Sequence, residues 1–502
     1  MRRILVSAAA VMLVTALAPS TGAASDGAVV DQLILEIEGR QGVLVHVRPE
    51  APLAQGLTAA TAVGADLGTT YPEINVFMAY ADRETFLRLA EDPAIEALEA
   101  NRLLEFLTDT SHVATRGQEV LDGAVTLPDG TRIDGSGVGV AVVDSGVDGT
   151  HPDLDDRMGG NVRIVCTAPG GAIAIGGGTG LGFSECRGPK AAVPLEDTDT
   201  PAAGGHGTHV AGIVAGTGEA SGGTYHGAAP GATLYGVGVG TTLVVENALD
   251  GLRWVLDNHD QVSPAIRVVN NSWGSGHRRA DENDALTGAV TKMQNLLIQD
   301  GVTVVFAAGN AGGNGTSATT SVQCVLTTPG NVCVASYDDG NTGTRDGVVS
   351  DFSSRGSAAD ASTWPDVSAP GSTIISTCRL TLPVCSAHLA PVLEPPNAYS
   401  ELSGTSMAAP HIAGIIAQLF QVDPNLTPSG VEDVLENTAL KFTDGAAYQA
   451  DPFNADDPSS FDKGHGLVDV VAAVEALLGS ATSRPARAQG PKCGEPPCKP
   501  KS

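Results

Sequence analysis

Gly404-Thr405-Ser406-Met407-Ala408-Ala409-Pro410-His411 is the stretch from which the rest of the chain is read. It sets a serine among small residues at the head of an apolar run with helical spacing, Ile412, Ala413, Ile415, Ile416 and Leu419. The spacing predicts a helix that begins at the serine. A serine in that position stands among free backbone N–H groups at the positive end of the helix dipole. Such surroundings suit a nucleophile whose attack creates an oxyanion. A helix cap is the commoner use of a serine there. What decides between the two lies upstream.

Val138 to Val143 is a nearly continuous apolar run ending in Asp144-Ser145-Gly146. It predicts a buried parallel strand with a carboxylate at its carboxyl end, where open α/β sheets keep their sites. Gly204-Gly205-His206-Gly207-Thr208-His209-Val210-Ala211-Gly212 is a glycine-rich turn entering a helix. Taken singly, Asp144 caps a turn and His206 is a surface histidine. Taken together, Asp, His and Ser stand in one of the known chain orders of a catalytic triad. Thr303-Val304-Val305-Phe306-Ala307-Ala308-Gly309-Asn310 is another buried-strand pattern. Asn310 alone is a turn residue; at a strand end facing a nucleophile, its NH2 is a donor for a developing oxyanion. Strands at Val138–Val143, Thr233–Val237, Val268–Asn270 and Val302–Phe306 alternate with helices at Val210–Ala215, Leu243–Leu256, Leu286–Gln299 and Met407–Phe420. That alternation predicts an α/β fold built on a mostly parallel, doubly wound sheet.

These four segments, with Asp-Ser-Gly, His-Gly-Thr-His-Val-Ala-Gly, Ala-Ala-Gly-Asn and Gly-Thr-Ser-Met-Ala-Ala-Pro-His in order, resemble the subtilisin-like serine proteases, the subtilases. The resemblance runs from Val138 to the Gly464-His465-Gly466 turn and the final helix. It implies that Asp144 orients an imidazole, His206 is the base, Ser406 the nucleophile and Asn310 the oxyanion donor. It also implies an acyl-enzyme route to the hydrolysis of polypeptide substrates. Ser272-Trp273-Gly274 matches the edge on which an extended substrate pairs; Trp273 walls a pocket there, or else belongs to the core. Ala307, Ala308 and Gly309 match the lining of the pocket for the residue before the cut. Asp153 matches a residue that often ligates calcium in the family, although its partner loop, Thr217 to His226, differs in length from the common form. Calcium is therefore an expected structural cofactor, its site unlocated. His209 follows His206 by one helical turn and is expected to be structural, since no Glu follows His206 as in the zinc helix motif.

The ends of the chain have their own signatures. Met1-Arg2-Arg3, the apolar run Ile4 to Leu17 and Gly22-Ala23-Ala24 form a secretory signal, residues 1–24. An exported product without a membrane span is expected. Residues 25–112 predict a separate small α+β module, with strands at Gln32–Ile37, Gly42–Val47, Ile74–Tyr80 and Ile95–Ala100 and helices at Leu53–Val63 and Arg83–Ala90. The module resembles the inhibitory propeptide of subtilases, which implies that its tail lies in the active-site groove as an intramolecular inhibitor. The cut that frees it is expected between Thr108 and Gln118. An accessory binding domain retained after secretion is the other reading of these residues. Residues 113–480 then form the peptidase unit, and residues 481–502 a flexible tail rich in Pro and Lys.

Net charge is −29, from 28 basic and 57 acidic residues, which argues against nucleic acid as a partner. The 8 cysteines are an even number in an exported chain, so disulfides are expected. Nearest-neighbour pairing joins Cys166/Cys186, Cys324/Cys333, Cys378/Cys385 and Cys493/Cys498. None of the residues that carry chemistry is a cysteine, and Gly177-Gly178-Thr179-Gly180 lacks the Lys of a phosphate loop. No redox or nucleotide cofactor is expected. Two rival functions remain to weigh. A binding protein on a protease fold is one, but every chemical residue is present. A lipase or esterase is the other, and its Gly-x-Ser-x-Gly elbow is missing around Ser406.

Overall fold

The structure is a computed structural model. It describes residues 28–483 apart from 37–38, 102–104, 107–113, 168–189, 200–203, 241–242, 276–287, 341, 380–381, 383, 386–398 and 455–456. The predicted signal, the Gly177-Gly178-Thr179-Gly180 run, Cys186, the Cys493/Cys498 pair, and most of the expected cut region lie outside the described residues.

The first unit is a sheet of five strands, β1 (Val29–Val30), β2 (Gln41–Val47), β3 (Asp66–Tyr71), β4 (Val76–Ala81) and β5 (Ile95–Ala100), in the order β1-β5-β2-β4-β3. Helices α1 (Leu53–Val63) and α2 (Arg83–Leu89) cover one face. The expected strand at Gln32–Ile37 is instead a 3-10 turn over Gln32–Glu36. Asp31 starts it: its Oδ1 accepts the Leu33 N–H at 3.0 Å and its C=O accepts the Ile34 N–H at 3.0 Å. An Asp that bonds its own downstream backbone competes with the sheet ladder.

A short strand, β6 (Glu105–Phe106), and a one-turn helix, α3 (Gly117–Leu121), lead to the second unit. Its main sheet contains β7 (Gly139–Asp144), β8 (Met158–Cys166), β9 (Lys190–Pro194), β10 (Thr233–Gly238), β11 (Ile266–Asn271), β13 (Thr303–Ala307), β14 (Asn331–Asp338), β15 (Val348–Val349) and β16 (Val367–Pro370). Outside it lie β12 (Trp273–Gly274), which pairs with β6, and the hairpin β17 (Ile374–Thr377) with β18 (Tyr399–Leu402). The main order is β15-β14-β13-β11-β7-β10-β8-β9, with β16 on β14; β9 and β15 are the antiparallel strands. From β7 the order runs outward one way through β10 and β8 and the other way through β11 and β13. The carboxyl end of β7 is therefore the topological switch point, where doubly wound sheets open a crevice.

Helices stand on both faces. One core gathers α4 (His206–Ala215), α7 (Thr405–Val422), α8 (Pro428–Thr438) and α9 (Val470–Ser483) with Val140 and Val142 of β7. The other gathers α5 (Val245–Asn258) and α6 (Gly288–Gln299) with Ala141 and Val143. Alternate residues of β7 thus feed opposite cores, which is why its sequence is apolar without alternation. Leu44, Tyr71, Val76, Met78 and Tyr80 of the first unit belong to the α5–α6 cluster, so that unit is docked through its open face on helices α5 and α6.

Cys324–Cys333 and Cys378–Cys385 are bonded, nearest neighbour to nearest neighbour as expected. The last helix runs on to Ser483, past Ala481 where the tail was expected to begin. Among the described residues no helix is long and apolar enough to cross a membrane.

Candidate active site

Asp144 ends β7 and is fully buried. Its Oδ1 accepts the Ser145 N–H at 2.7 Å and stands 2.8 Å from Nδ1 of His206. With the carboxylate ionised, Nδ1 carries the proton, and Nε2 is left as the basic nitrogen. His206 is the first residue of α4, entered through Gly205 at φ 104°. Close approach of that helix to β7 depends on Gly207: a Cβ there would stand 2.2 Å from the Gly146 carbonyl oxygen and 3.0 Å from Asp144.

Ser406 occupies the first turn of α7 and is buried. Its hydroxyl donates to the Ser272 carbonyl at 2.9 Å. Ser272 follows β11, the strand beside β7. Register fixes the rest: Asn270 lies opposite Val142, so Ser272 is level with Asp144. Neighbouring strands are about 4.8 Å apart, so the residue holding the imidazole and the residue holding the hydroxyl sit side by side at the switch point.

Asn310 follows β13, the next strand out. Its Oδ1 accepts both the N–H and the hydroxyl of Thr405, each at 3.0 Å. Two donors on one oxygen set the orientation of the amide, and they leave Nδ2 as the outward donor. The Thr405 hydroxyl also accepts the Gly309 N–H at 3.0 Å. Thr405 thus orients the Asn310 amide, a contact that sequence reading passed over. Its only sequence signal was adjacency to Ser406.

The remaining candidates divide. The Trp273–Gly274 backbone pairs antiparallel with Phe106 and Glu105. The Trp273 side chain is core rather than pocket wall: it has no exposure, packs edge-on against Phe306 at 4.8 Å, and donates its indole N–H to the Val143 carbonyl at 2.8 Å. An indole with a buried hydrogen-bond partner and an aromatic neighbour is satisfied inside. Ala307 and Ala308 are buried at the end of β13, and Gly309 turns the chain at φ 112° against Ser354.

His209 lies one turn beyond His206. Burial pushes its pKa down to about 3, and Nε2 faces the Ser400 carbonyl at 3.0 Å. It stays neutral and structural at neutral pH. Asp153 is buried, with one oxygen accepting the Ala220 N–H at 2.8 Å and the other the Tyr399 hydroxyl at 2.6 Å. Among the described residues, the carboxylates gathered closely enough for one cation are Asp366, Glu432 and Glu436, with ligand atoms within 4.8 Å of one another.

Known proteins share this organisation. The model of the subtilase family of peptidases matches residues 135–466. The chain is 32% identical over 378 residues to serine protease AprX of Bacillus subtilis (strain 168), covering 71% of this chain and 72% of that protein. It is 30% identical over 382 residues to an extracellular protease of Xanthomonas campestris pv. campestris, covering 72% of this chain and 58% of that protein. The crystal structure of fervidolysin from Fervidobacterium pennivorans, a keratinolytic enzyme related to subtilisin, aligns with 93% of this chain and 65% of its own. The TM-score is 0.60 at 24% identity, a likeness of fold. A buried Asp–His pair, a serine hydroxyl held on the carbonyl that follows the neighbouring strand and a family match over residues 135–466 converge: the chain belongs to the subtilase family and is a subtilisin-like serine endopeptidase.

Proposed function

We propose that this subtilase cuts peptide bonds with Asp144, His206 and Ser406, uses Asn310 as an oxyanion donor, and is exported as a precursor inhibited by its own first unit. The observation that carries the reading is the buried hydrogen bond from His206 Nδ1 to Asp144 Oδ1, with the Ser406 hydroxyl held on the carbonyl of Ser272, which is level with Asp144 beside it.

The steps follow from the atoms. The Ser406 hydroxyl turns from the Ser272 carbonyl to Nε2 of His206, which takes its proton as Oγ attacks the substrate carbonyl carbon. The carbonyl oxygen becomes an oxyanion, met by Asn310 Nδ2 and the Ser406 backbone N–H. His206 gives the proton to the leaving amine, the C–N bond breaks, and an acyl ester remains on Ser406. Water, deprotonated by the same nitrogen, opens the ester. Asp144 keeps the productive tautomer and stabilises the imidazolium. Labelling with a fluorophosphonate tests the nucleophile: the adduct is expected on Ser406, and an adduct elsewhere overturns the assignment.

Asn310→Ala is expected to lower kcat by about 10²–10³ with KM little changed, because the amide acts on charge that exists only in the transition state. Steady-state kinetics on a peptide substrate read this; a loss confined to KM overturns the donor role.

Pairing of Glu105–Phe106 with Trp273–Gly274 supports the inhibitor reading, since that edge is the one a substrate strand would use. The expected cut region, Thr108 to Gln118, begins two residues beyond Phe106. Export rests on the signal-like first 24 residues and on the extracellular protease among the relatives. N-terminal sequencing of the secreted form is expected to begin between Thr108 and Gln118.

Calcium belongs to the proposal as a structural ion with no part in the chemistry. Asp153 is the poorer candidate: its oxygens take the Ala220 N–H and the Tyr399 hydroxyl, and among the described residues it belongs to no group of three ligand side chains. Asp366, Glu432 and Glu436 fit by donor chemistry, as hard oxygen ligands for a hard cation. Burial pushes Glu432 up to about 8 and raises Asp366 and Glu436 as well; repulsion from neighbouring carboxylates adds to it. Treatment with a chelator is expected to lower Tm, and more at pH 8 than at pH 5, because ligand carboxylates must be ionised to hold the ion. An unchanged Tm at pH 8 overturns it.

A further inference from the structure

Ser406 is the second residue of α7, and Pro410 lies four residues on, inside the same helix. In an α-helix the N–H of residue i+4 bonds the C=O of residue i. Proline has no N–H, and its ring crowds that same carbonyl. The C=O of Ser406 therefore has no partner from within its own helix. It is met from outside: the Ser272 hydroxyl donates to it at 2.8 Å.

Ser272 holds the same residue a second time, since its own carbonyl accepts the Ser406 hydroxyl at 2.9 Å. Behind it, Asn270 Nδ2 donates to the Ser272 hydroxyl oxygen at 2.9 Å. That bond occupies the oxygen as an acceptor and directs its hydrogen to Ser406. All three residues have no solvent exposure, and Asn270 Oδ1 has no hydrogen-bond partner among the described residues. A buried acceptor left unpaired is a cost, tolerated here where the other end of the amide fixes a hydroxyl. The substrate edge does not explain this side chain, because the edge is backbone and its pairing is at Trp273–Gly274.

We propose that Ser272 is a positioning residue for the nucleophile, backed by Asn270: its hydroxyl replaces the helical hydrogen bond that Pro410 removes, and its carbonyl rests the Ser406 hydroxyl until His206 takes the proton. This rests on Ser406 being the nucleophile. Without the Ser272 hydroxyl, the first turn of α7 carries a buried, unpaired carbonyl on the reacting residue. Relaxation of that turn moves both the Ser406 oxygen and the Ser406 N–H, and small misplacements at a reacting centre cost rate rather than binding.

The test is Ser272→Ala, alone and with Pro410→Ala. The single variant is expected to lose about tenfold in kcat on a peptide substrate, or about 1.4 kcal/mol, with KM within about twofold. Inactivation by a small sulfonyl fluoride, which makes no use of the substrate edge, is expected to slow by a similar factor. Pro410→Ala supplies an N–H to the orphaned carbonyl, so the double variant is expected to return to within about threefold of the parent on both readouts. Tm is measured for each; where Ser272→Ala does not fold, Ser272→Cys is read instead, with a weaker donor in the same shape and a smaller loss rescued in the same way. A rise in KM at constant kcat, an unchanged inactivation rate, or a loss that Pro410→Ala fails to restore overturns the proposal. Mapping the sulfonyl adduct in the parent separates the two claims. An adduct away from Ser406 sinks the nucleophile assignment, whereas an adduct on Ser406 with a silent Ser272→Ala sinks only the positioning role.

Discussion

Ser406→Ala is expected to lower kcat by on the order of 10⁶, to a residue of catalysis supplied by substrate binding and the oxyanion donors. The fold should survive. The substitution removes one buried hydrogen bond, from the Ser406 hydroxyl to the Ser272 carbonyl, at about 1 kcal/mol, and leaves the Ser272 hydroxyl bond to the Ser406 carbonyl in place. The same variant reads maturation. If the chain cuts itself, the alanine protein accumulates at full length with its first unit attached, and added parent enzyme cuts it in the stretch from Thr108 to Gln118. Casein hydrolysis, mass spectrometry and thermal melts read the three outcomes. Hydrolysis at the parent rate sinks the assignment of the nucleophile; spontaneous processing of the alanine protein sinks the self-cutting reading alone.

Asp144→Asn is expected to cost on the order of 10⁴ in kcat. Oδ1 of Asp144 receives two donors, the Ser145 N–H at 2.7 Å and His206 Nδ1 at 2.8 Å. An asparagine that keeps oxygen there preserves both bonds but loses the negative charge that stabilises the imidazolium. One that turns its NH2 there meets the Ser145 N–H and forces the His206 proton onto Nε2, which then cannot accept from Ser406. Both outcomes disable the base, and the near-identical shape keeps Gly207 and its helix in place. Kinetics on a chromogenic peptide, with far-UV circular dichroism as the folding control, read it; a loss under about tenfold overturns the orienting role.

Much of this was legible in the linear chain. The run Val138–Val143 announced a strand buried on both faces, and the structure shifts it by one residue at each end, to Gly139–Asp144. The helix at Leu53–Val63 matches residue for residue. The 3-10 turn at Gln32–Glu36 was illegible, because whether Asp31 bonds its own backbone or yields to a ladder is a contest between energies of similar size. Strand β3, Asp66–Tyr71, escaped notice for another reason. Its residues are mostly polar or half-exposed at a sheet edge, so no apolar period marks it. Trp273 could be a pocket wall or core from sequence alone; the partner that settles it, the Val143 carbonyl, lies 130 residues away.

By itself the sequence determined the family, the reaction class, and the kinds of strand and helix on which the proposed residues stand. Those are properties of residue type and local period, which each segment holds without its neighbours. Tertiary structure decided the supports. That Thr405 turns the Asn310 amide, that Ser272 satisfies the carbonyl Pro410 orphans, and that Asp153 is answered by Tyr399 are facts about groups far apart in the chain. A hydroxyl bonds whichever acceptor the packed sheet and helices bring within reach, and that acceptor is chosen by register and packing rather than by anything written beside it.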